Sequence, residues 1–141
     1  MPPACSSVQI VLAEDNPADV LLVREALREH DVRCDLRVIT DGQQALTFID
    51  ELDADKDLPC PDLLILDLYL PKYDGGQILG HLRDSGRCAD IPVVVLTSSL
   101  SPQDQRTAEK NAAIHYFQKP ASLSQFLKLG SIVKEVISRT R

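Results

Sequence analysis

Strand-like and helix-like patterns alternate five times along this chain, and no other feature of the sequence restricts its fold as strongly. The spacing is close to the roughly 30 residues that one βαβ step requires. Such alternation predicts a parallel sheet with helices on both faces. The predicted strands are VQIVLA (Val8 to Ala13), CDLRVIT (Cys34 to Thr40), DLLILDL (Asp62 to Leu68), IPVVVLT (Ile91 to Thr97) and AIHYFQ (Ala113 to Gln118).

Polar capping residues mark the expected helix starts, because each is followed three residues later by an acid or an amide. Asn16 and Ser101 also precede a proline, which suits the first helical position, where its missing N–H has no intrahelical partner. We therefore expect helices to begin near Pro17 and Pro102. The cap pairs are Asp41 with Gln44, Asp74 with Gln77, Ser101 with Asp104, and Ser122 with Gln125.

Strand composition predicts the order of the strands. The third and fourth contain unbroken apolar runs, LLIL and VVVL, as in strands buried on both faces, whereas Arg37 and His115 interrupt the second and fifth, as on edge strands. A doubly wound five-stranded α/β sheet of order 2-1-3-4-5 satisfies these patterns and keeps the crossovers right-handed. Strand order then reverses between the first and third strands.

Length and charge limit the class of protein. A chain of 141 residues with 44% hydrophobic content suits a single domain over residues 1–141, with its core at about 7–138 and no output domain. A net charge of -6 without a basic run argues against nucleic acid or an anionic membrane as partner. The start MPPACSS has no secretory pattern, so we expect a cytoplasmic protein.

Four cysteines are spread along the chain without C-x-x-C spacing: Cys5, Cys34, Cys60 and Cys88. This spacing indicates neither a zinc site nor a redox pair. We expect free thiols, as is usual in a cytosolic chain.

Chemistry-bearing residues collect at the predicted carboxyl ends of the strands, where open parallel sheets bind ligands. Glu14 and Asp15 follow the first strand, Asp67 lies near the end of the third, Thr97 ends the fourth and Lys119 follows the fifth. Converging carboxylates repel each other unless a cation lies among them, and Mg²⁺ prefers such oxygen ligands. Carboxylate, metal, hydroxyl and ammonium together are what phosphoryl transfer to an aspartate requires.

These residues resemble the motifs of the two-component response-regulator receiver family: ED at 14 and 15, D-x-x-L-P at 67 to 71, T at 97 and KP at 119 and 120. The resemblance covers nearly the whole chain and implies the flavodoxin-like (βα)5 receiver fold. The segments EDNPADVLLVREAL, DGQQAL, DLYLPKYDG and IPVVVLTSS also resemble the single-domain receivers that partner bacterial phytochromes.

The resemblance also implies a role for each site residue. Asp67 would be the phosphoacceptor, and Asp15 and Asp67 would bind Mg²⁺ with the Tyr69 backbone carbonyl. Glu14 would act through the water shell of the metal.

The remaining roles concern signalling. Thr97 and Lys119 would contact the phosphoryl oxygens, and Tyr116 would turn inward as a switch. Because the fifth helix ends in KEVISRTR with nothing after it for DNA binding or catalysis, we expect a stand-alone response regulator in a phosphorelay. It would catalyse only its own phosphorylation and dephosphorylation. A sensor histidine kinase, of the bacterial phytochrome kind, would be the donor. A homodimer would form through the face of the fourth helix, fifth strand and fifth helix.

Two other functions stay open. A Mg²⁺-dependent phosphatase of the haloacid dehalogenase type would need a second acid two residues after the nucleophile, where this chain has Tyr69. A pseudo-receiver would never be phosphorylated, although Asp15, Asp67, Thr97 and Lys119 are intact. Tyr69 is also bulky for a receiver, and its ring would either shield an acyl phosphate from water or crowd it.

Overall fold

A computed structural model describes residues 8–140, so residues 1–7 and 141 of the predicted domain lie outside the described residues. Strands and helices alternate as the sequence predicts. The strands are β1 (Val8–Ala13), β2 (Cys34–Ile39), β3 (Leu63–Leu66), β4 (Val93–Thr97) and β5 (His115–Gln118). The helices are α1 (Pro17–Glu29), α2 (Gly42–Ala54), α3 (Gly75–Asp84), α4 (Pro102–Lys110), α5 (Leu123–Phe126) and α6 (Leu129–Thr140).

All five strands form one parallel sheet in the order β2-β1-β3-β4-β5, which confirms the predicted topology. Every residue of β3 and β4 is buried, because helices cover both faces of these central strands. In β2 partly buried and exposed residues alternate, as expected of an edge strand. Strand order reverses between β1 and β3, as predicted.

The core has two layers, one on each face of the sheet. Helices α2, α3 and α4 pack on one face, where Ile49, Ile78 and Ala108 are buried. Helices α1, α5 and α6 pack on the other, where Val23 and Val133 are fully buried. Alternate residues of each strand supply the two layers, since successive side chains point to opposite faces. No described helix is long and apolar enough to cross a membrane.

Helix starts follow the predicted caps. The Asn16 side chain accepts backbone N–H groups at the start of α1, and the first helical residues of α1 and α4 are Pro17 and Pro102. Asp74 and Gln77 form a complete capping box at α3. The predicted fifth helix is instead divided into α5 and α6. At the division the backbone makes tighter i to i+3 hydrogen bonds, such as that from the Gly130 N–H to the Leu127 carbonyl at 3.1 Å.

The expectation of free thiols is wrong for Cys60 and Cys88, which form a disulfide. Their Cα atoms are 5.7 Å apart although 28 positions separate them in sequence. The loops before β3 and β4 meet at the amino edge of the sheet, so the chain's path brings the two thiols together. Cys34 is free and half-buried, and Cys5 lies outside the described residues.

Arginine side chains reinforce this edge. The Arg87 guanidinium donates to the Leu52 carbonyl at 2.5 Å and to the Asp55 carbonyl at 3.0 Å. Arg83 donates to the Ala89 and Ile91 carbonyls at 2.8 and 2.7 Å. These bonds satisfy a carbonyl in the last turn of α2 and carbonyls of the loops that precede the strands. The amino edge is therefore held by both covalent and polar contacts.

Candidate functional site

The backbone places five predicted site residues at the carboxyl edge of the sheet. Extra ladder hydrogen bonds continue beyond the strands, from the Asp67 N–H to the Ala13 carbonyl at 3.0 Å and from the Lys119 N–H to the Thr97 carbonyl at 2.8 Å. The Glu14 N–H likewise donates to Ile39 at 2.8 Å. Because these strands are parallel, their ends open on one edge.

Three carboxylates converge there. One oxygen each from Glu14, Asp15 and Asp67 lies within 4.8 Å of the other two. Glu14 and Asp67 are buried, whereas Asp15 is exposed. Oxygen atoms at such spacing suit a hard divalent cation that keeps part of its water shell.

Lys119 is the positive charge of the site. Its Nζ lies 2.7 Å from Glu14 Oε1, 2.8 Å from Asp19 Oδ2 and 3.0 Å from Asp67 Oδ2. Burial lowers the pKa of the ammonium, but its hydrogen bonds with Asp19, Glu14 and Asp67 outweigh that effect and raise the pKa above its usual range. The lysine therefore stays charged and offsets part of the repulsion among the acids.

Glu14 shows that the cluster fits a cation. Its burial raises the pKa of the carboxyl to about 7, and the nearby Asp67 charge adds to the increase. Its Oε1 is buried and lies 2.7 Å from the Lys119 ammonium. Burial and a neighbouring carboxylate both disfavour the charged form of Glu14, and a divalent cation among the three acids would offset that cost. The set of oxygen donors therefore suits Mg²⁺.

Thr97 and Tyr116 are joined through one loop residue. Thr97 is fully buried, and its hydroxyl accepts a 3.3 Å hydrogen bond from the Ser99 N–H. The Tyr116 hydroxyl donates to the Ser99 carbonyl at 2.9 Å. The loop after β4 therefore connects the proposed phosphoryl contact with the proposed switch residue.

Tyr69 spans the space between two loops. Its backbone N–H donates to Asp67 Oδ1 at 3.0 Å, while its hydroxyl contacts the Asp104 carboxylate on α4. That hydrogen bond to Asp104 raises the pKa of the Tyr69 phenol. Tyr69 is 58% exposed, in contrast to the buried Asp67.

Two contacting residues were not identified from sequence as part of the site. Asp19 lies in the first turn of α1, which begins shortly after the Glu14–Asp15 pair. Its position close to the carboxyl edge could therefore have been inferred from the sequence. Asp104 was assigned only to the cap of α4. Its contact with Tyr69 depends on how α4 lies beside the loop after β3, which no local pattern encodes.

A model of the response regulator receiver domain matches residues 10–129 of this chain. The chain belongs to this family. Receiver domains accept a phosphoryl group in two-component signalling, work with histidine kinases and use a divalent cation, so this receiver is a signalling protein. Its topology and acidic edge agree with that assignment.

Similar proteins include cyanobacterial response regulators. The receiver is 33% identical over 120 residues to response regulator Rcp1 of Synechocystis sp.. The aligned region covers 85% of this chain and 82% of Rcp1. The phosphorylated cyanobacterial phytochrome response regulator RcpA superposes with a TM-score of 0.84 at 32% identity, covering 96% and 97% of the two chains. The Mn²⁺-bound form of Rcp1 superposes with a TM-score of 0.79 at 31% identity, covering 91% of this chain and 92% of that structure.

Proposed function

We propose that Asp67 is the residue that accepts the phosphoryl group, in a reaction assisted by Mg²⁺. The observation that carries this proposal is the convergence of Glu14, Asp15 and Asp67 within 4.8 Å, with the Lys119 ammonium 3.0 Å from Asp67. The site therefore combines a nucleophile with charge neutralisation and a fixed cationic donor.

Each residue has a distinct part in the reaction. An Asp67 carboxylate oxygen attacks phosphorus, and the bond from phosphorus to the donor's leaving group breaks. The Lys119 ammonium and the Thr97 hydroxyl donate to the phosphoryl oxygens. Asp15, Asp67 and the Tyr69 carbonyl would hold Mg²⁺, with Glu14 acting through bound water, and the ion would supply charge neutralisation.

Intact mass of the pure protein tests this function after incubation with Mg²⁺ and a small phosphodonor. We expect an adduct of one phosphoryl group on the wild type and on Asp57→Asn, an exposed acid away from the site. Asp67→Asn should give no adduct, and a chelator should abolish labelling of the wild type. Steady hydrolysis of phosphate esters would instead support the phosphatase, and an unlabelled wild type the pseudo-receiver.

Tyr116 is proposed to transmit the phosphorylated state. Its hydroxyl already bonds to Ser99, two residues from the Thr97 hydroxyl, so movement of Thr97 toward a phosphoryl group would alter that bond. Phosphorylation adds roughly -1.5 to -2 charge, which is enough to change the preferred arrangement of a loop.

The partners are proposed from the same features. A histidine kinase of the bacterial phytochrome kind is favoured by the likeness to Rcp1 and RcpA, and phosphotransfer from such a kinase, compared with an unrelated one, tests it. Exposed Leu100, Ile114 and Leu123 support a homodimer through the face of α4, β5 and the divided fifth helix, α5 with α6. The net charge of -6 argues against nucleic acid. Cytoplasmic location and action without an output domain stay predictions.

A further inference from the structure

Asp104, in the first turn of α4, joins two loops through one carboxylate oxygen. Its Oδ2 accepts hydrogen bonds from the Tyr69 hydroxyl and from the Ser99 hydroxyl, the latter at 2.6 Å. Tyr69 belongs to the loop after Asp67, and Ser99 belongs to the loop after Thr97. The two loops that border the phosphoacceptor are thus tied to the same side chain.

This carboxylate is not occupied with capping its own helix. In a capping box, the acid three residues after the cap would accept the backbone N–H of the cap residue. The Ser101 N–H instead donates to Ser99 Oγ at 3.0 Å, and the Ser101 hydroxyl caps α4. Asp74 and Gln77 show the complete arrangement at α3. Asp104 is therefore left to bind the two hydroxyls.

The contact fixes where the Tyr69 side chain lies. Its backbone is bonded to Asp67 Oδ1, whereas its hydroxyl is held at α4, which follows the loop after β4. The side chain must therefore span the space between the ends of β3 and β4, where Asp67 and Thr97 leave the sheet. Tyr69 is 58% exposed there, whereas Asp67 is 6% exposed, so the tyrosine lies on the solvent side of the carboxylate.

We propose that Asp104 is a positioning residue that holds Tyr69 across the entrance to Asp67 and so slows hydrolysis of the aspartyl phosphate. In that hydrolysis a water oxygen bonds to phosphorus and the bond from phosphorus to the Asp67 oxygen breaks. Asp67 leaves as a carboxylate, and both water protons stay on the phosphate released as dihydrogen phosphate. The inference rests on the proposed phosphoacceptor function of Asp67.

Ser99 gives the arrangement a second support. Its hydroxyl fixes the Asp104 carboxylate from the other side, while its carbonyl accepts the Tyr116 hydroxyl at 2.9 Å. The orientation of Asp104 is therefore tied to the same loop residue as the proposed switch. Ser99→Ala should loosen Tyr69 less than loss of Asp104, because the direct bond to Tyr69 remains.

The test measures the lifetime of the phosphorylated protein. Protein labelled with Mg²⁺ and a small phosphodonor is freed of donor, and its phosphorylated fraction is followed by intact mass. Tyr69→Phe and Asp104→Ala should each shorten the lifetime by about two- to fivefold, and the double variant should decay no faster than the faster single variant. Glu109→Ala, an exposed acid on the same helix, should decay like the wild type.

A conservative variant separates positioning from simple charge loss. Asp104→Asn keeps one acceptor oxygen without the charge, so its lifetime should lie between those of wild type and Asp104→Ala. If Asp104→Ala does not fold, Asp104→Asn takes its place in the double-variant comparison. Single effects that multiply in the double variant, or unchanged lifetimes, would overturn the role of Asp104. A wild type that accepts no phosphoryl group would overturn the phosphoacceptor function itself.

Discussion

Glu14 should make the proposed Mg²⁺ site sensitive to pH. In the folded protein without metal, burial raises the pKa of this carboxyl to about 7, so the group takes up a proton as pH falls through that value. The protonated form carries no charge for a cation to neutralise. Proton and Mg²⁺ therefore compete at this position.

We predict that Mg²⁺ binding weakens as pH falls below about 7. The dissociation constant should rise by at most about tenfold per pH unit, the limit for one coupled proton. Titration calorimetry at several pH values measures this dependence. Glu14→Gln cannot titrate, so its affinity should be lower near neutral pH but should change less with pH. Equal pH dependence in both proteins would contradict the assignment to Glu14.

The residues of the site were predictable to different extents. Glu14, Asp15, Asp67, Thr97 and Lys119 were placed together because the ends of parallel strands share one edge, a rule that needs only the strand order. The roles of Asp19 and Asp104 were not found, since each depends on the rotation and packing of a helix.

At the scale of elements, two helices end in the same motif. After α4, the Ala112 N–H donates to Glu109 at 3.0 Å and the Ala113 N–H donates to Ala108 at 2.9 Å. This Schellman pattern places the residue after the C-cap in the left-handed region, where glycine is usual. Ala112 has φ 59° there, and Asp31 has φ 54° at the corresponding position after α1.

We predict that Ala112→Gly stabilises the protein. A non-glycine residue with this φ costs roughly 1 kcal/mol through contact of its Cβ with the backbone, and glycine removes that contact. The free energy of unfolding in urea should rise by about 0.5–1 kcal/mol. Ala113→Gly, next in sequence with no positive φ, is the control and should lower it. A loss of stability in Ala112→Gly would show that chain entropy outweighs the strain.

The ends of the strands were less predictable than the starts of the helices. The caps at Asn16 and Ser101 placed α1 and α4 correctly, because side-chain hydrogen bonding at a helix start is local. The apolar flanks of β3 to β5 were assigned to the strands, but Leu68, Ile91 and Ala113 lie outside the paired segments. Apolar composition indicates burial, and burial continues past the last ladder hydrogen bond.

At the scale of the molecule, the two edges of the sheet differ in how they are held. The carboxyl edge carries the acidic cluster and the loops joined by Asp104. The amino edge carries the Cys60–Cys88 disulfide together with Arg83 and Arg87. The disulfide was not predictable, since no local spacing relates two cysteines 28 positions apart.

We predict that reduction of the Cys60–Cys88 disulfide destabilises the fold without removing phosphorylation. Closing a loop of 28 positions restricts the unfolded chain, which contributes about 3–4 kcal/mol in the chain-entropy model. Dithiothreitol should lower the free energy of unfolding by about that amount. The variant with both cysteines changed to serine should show the lower value with or without reductant. Cys34→Ser should respond to reductant like the wild type, and equal stability of reduced and oxidised protein would contradict the prediction.

The cross-linked amino edge has a consequence for how the protein can diversify. In the proposed function, charge arriving at Asp67 would act on loops at the opposite edge, which no covalent bridge ties together among the described residues. Substitutions in the loops of the carboxyl edge can change signal duration or partner choice in small steps, while the disulfide at the amino edge keeps the fold stable. Evolution can thus vary the timing of the response separately from the integrity of the scaffold.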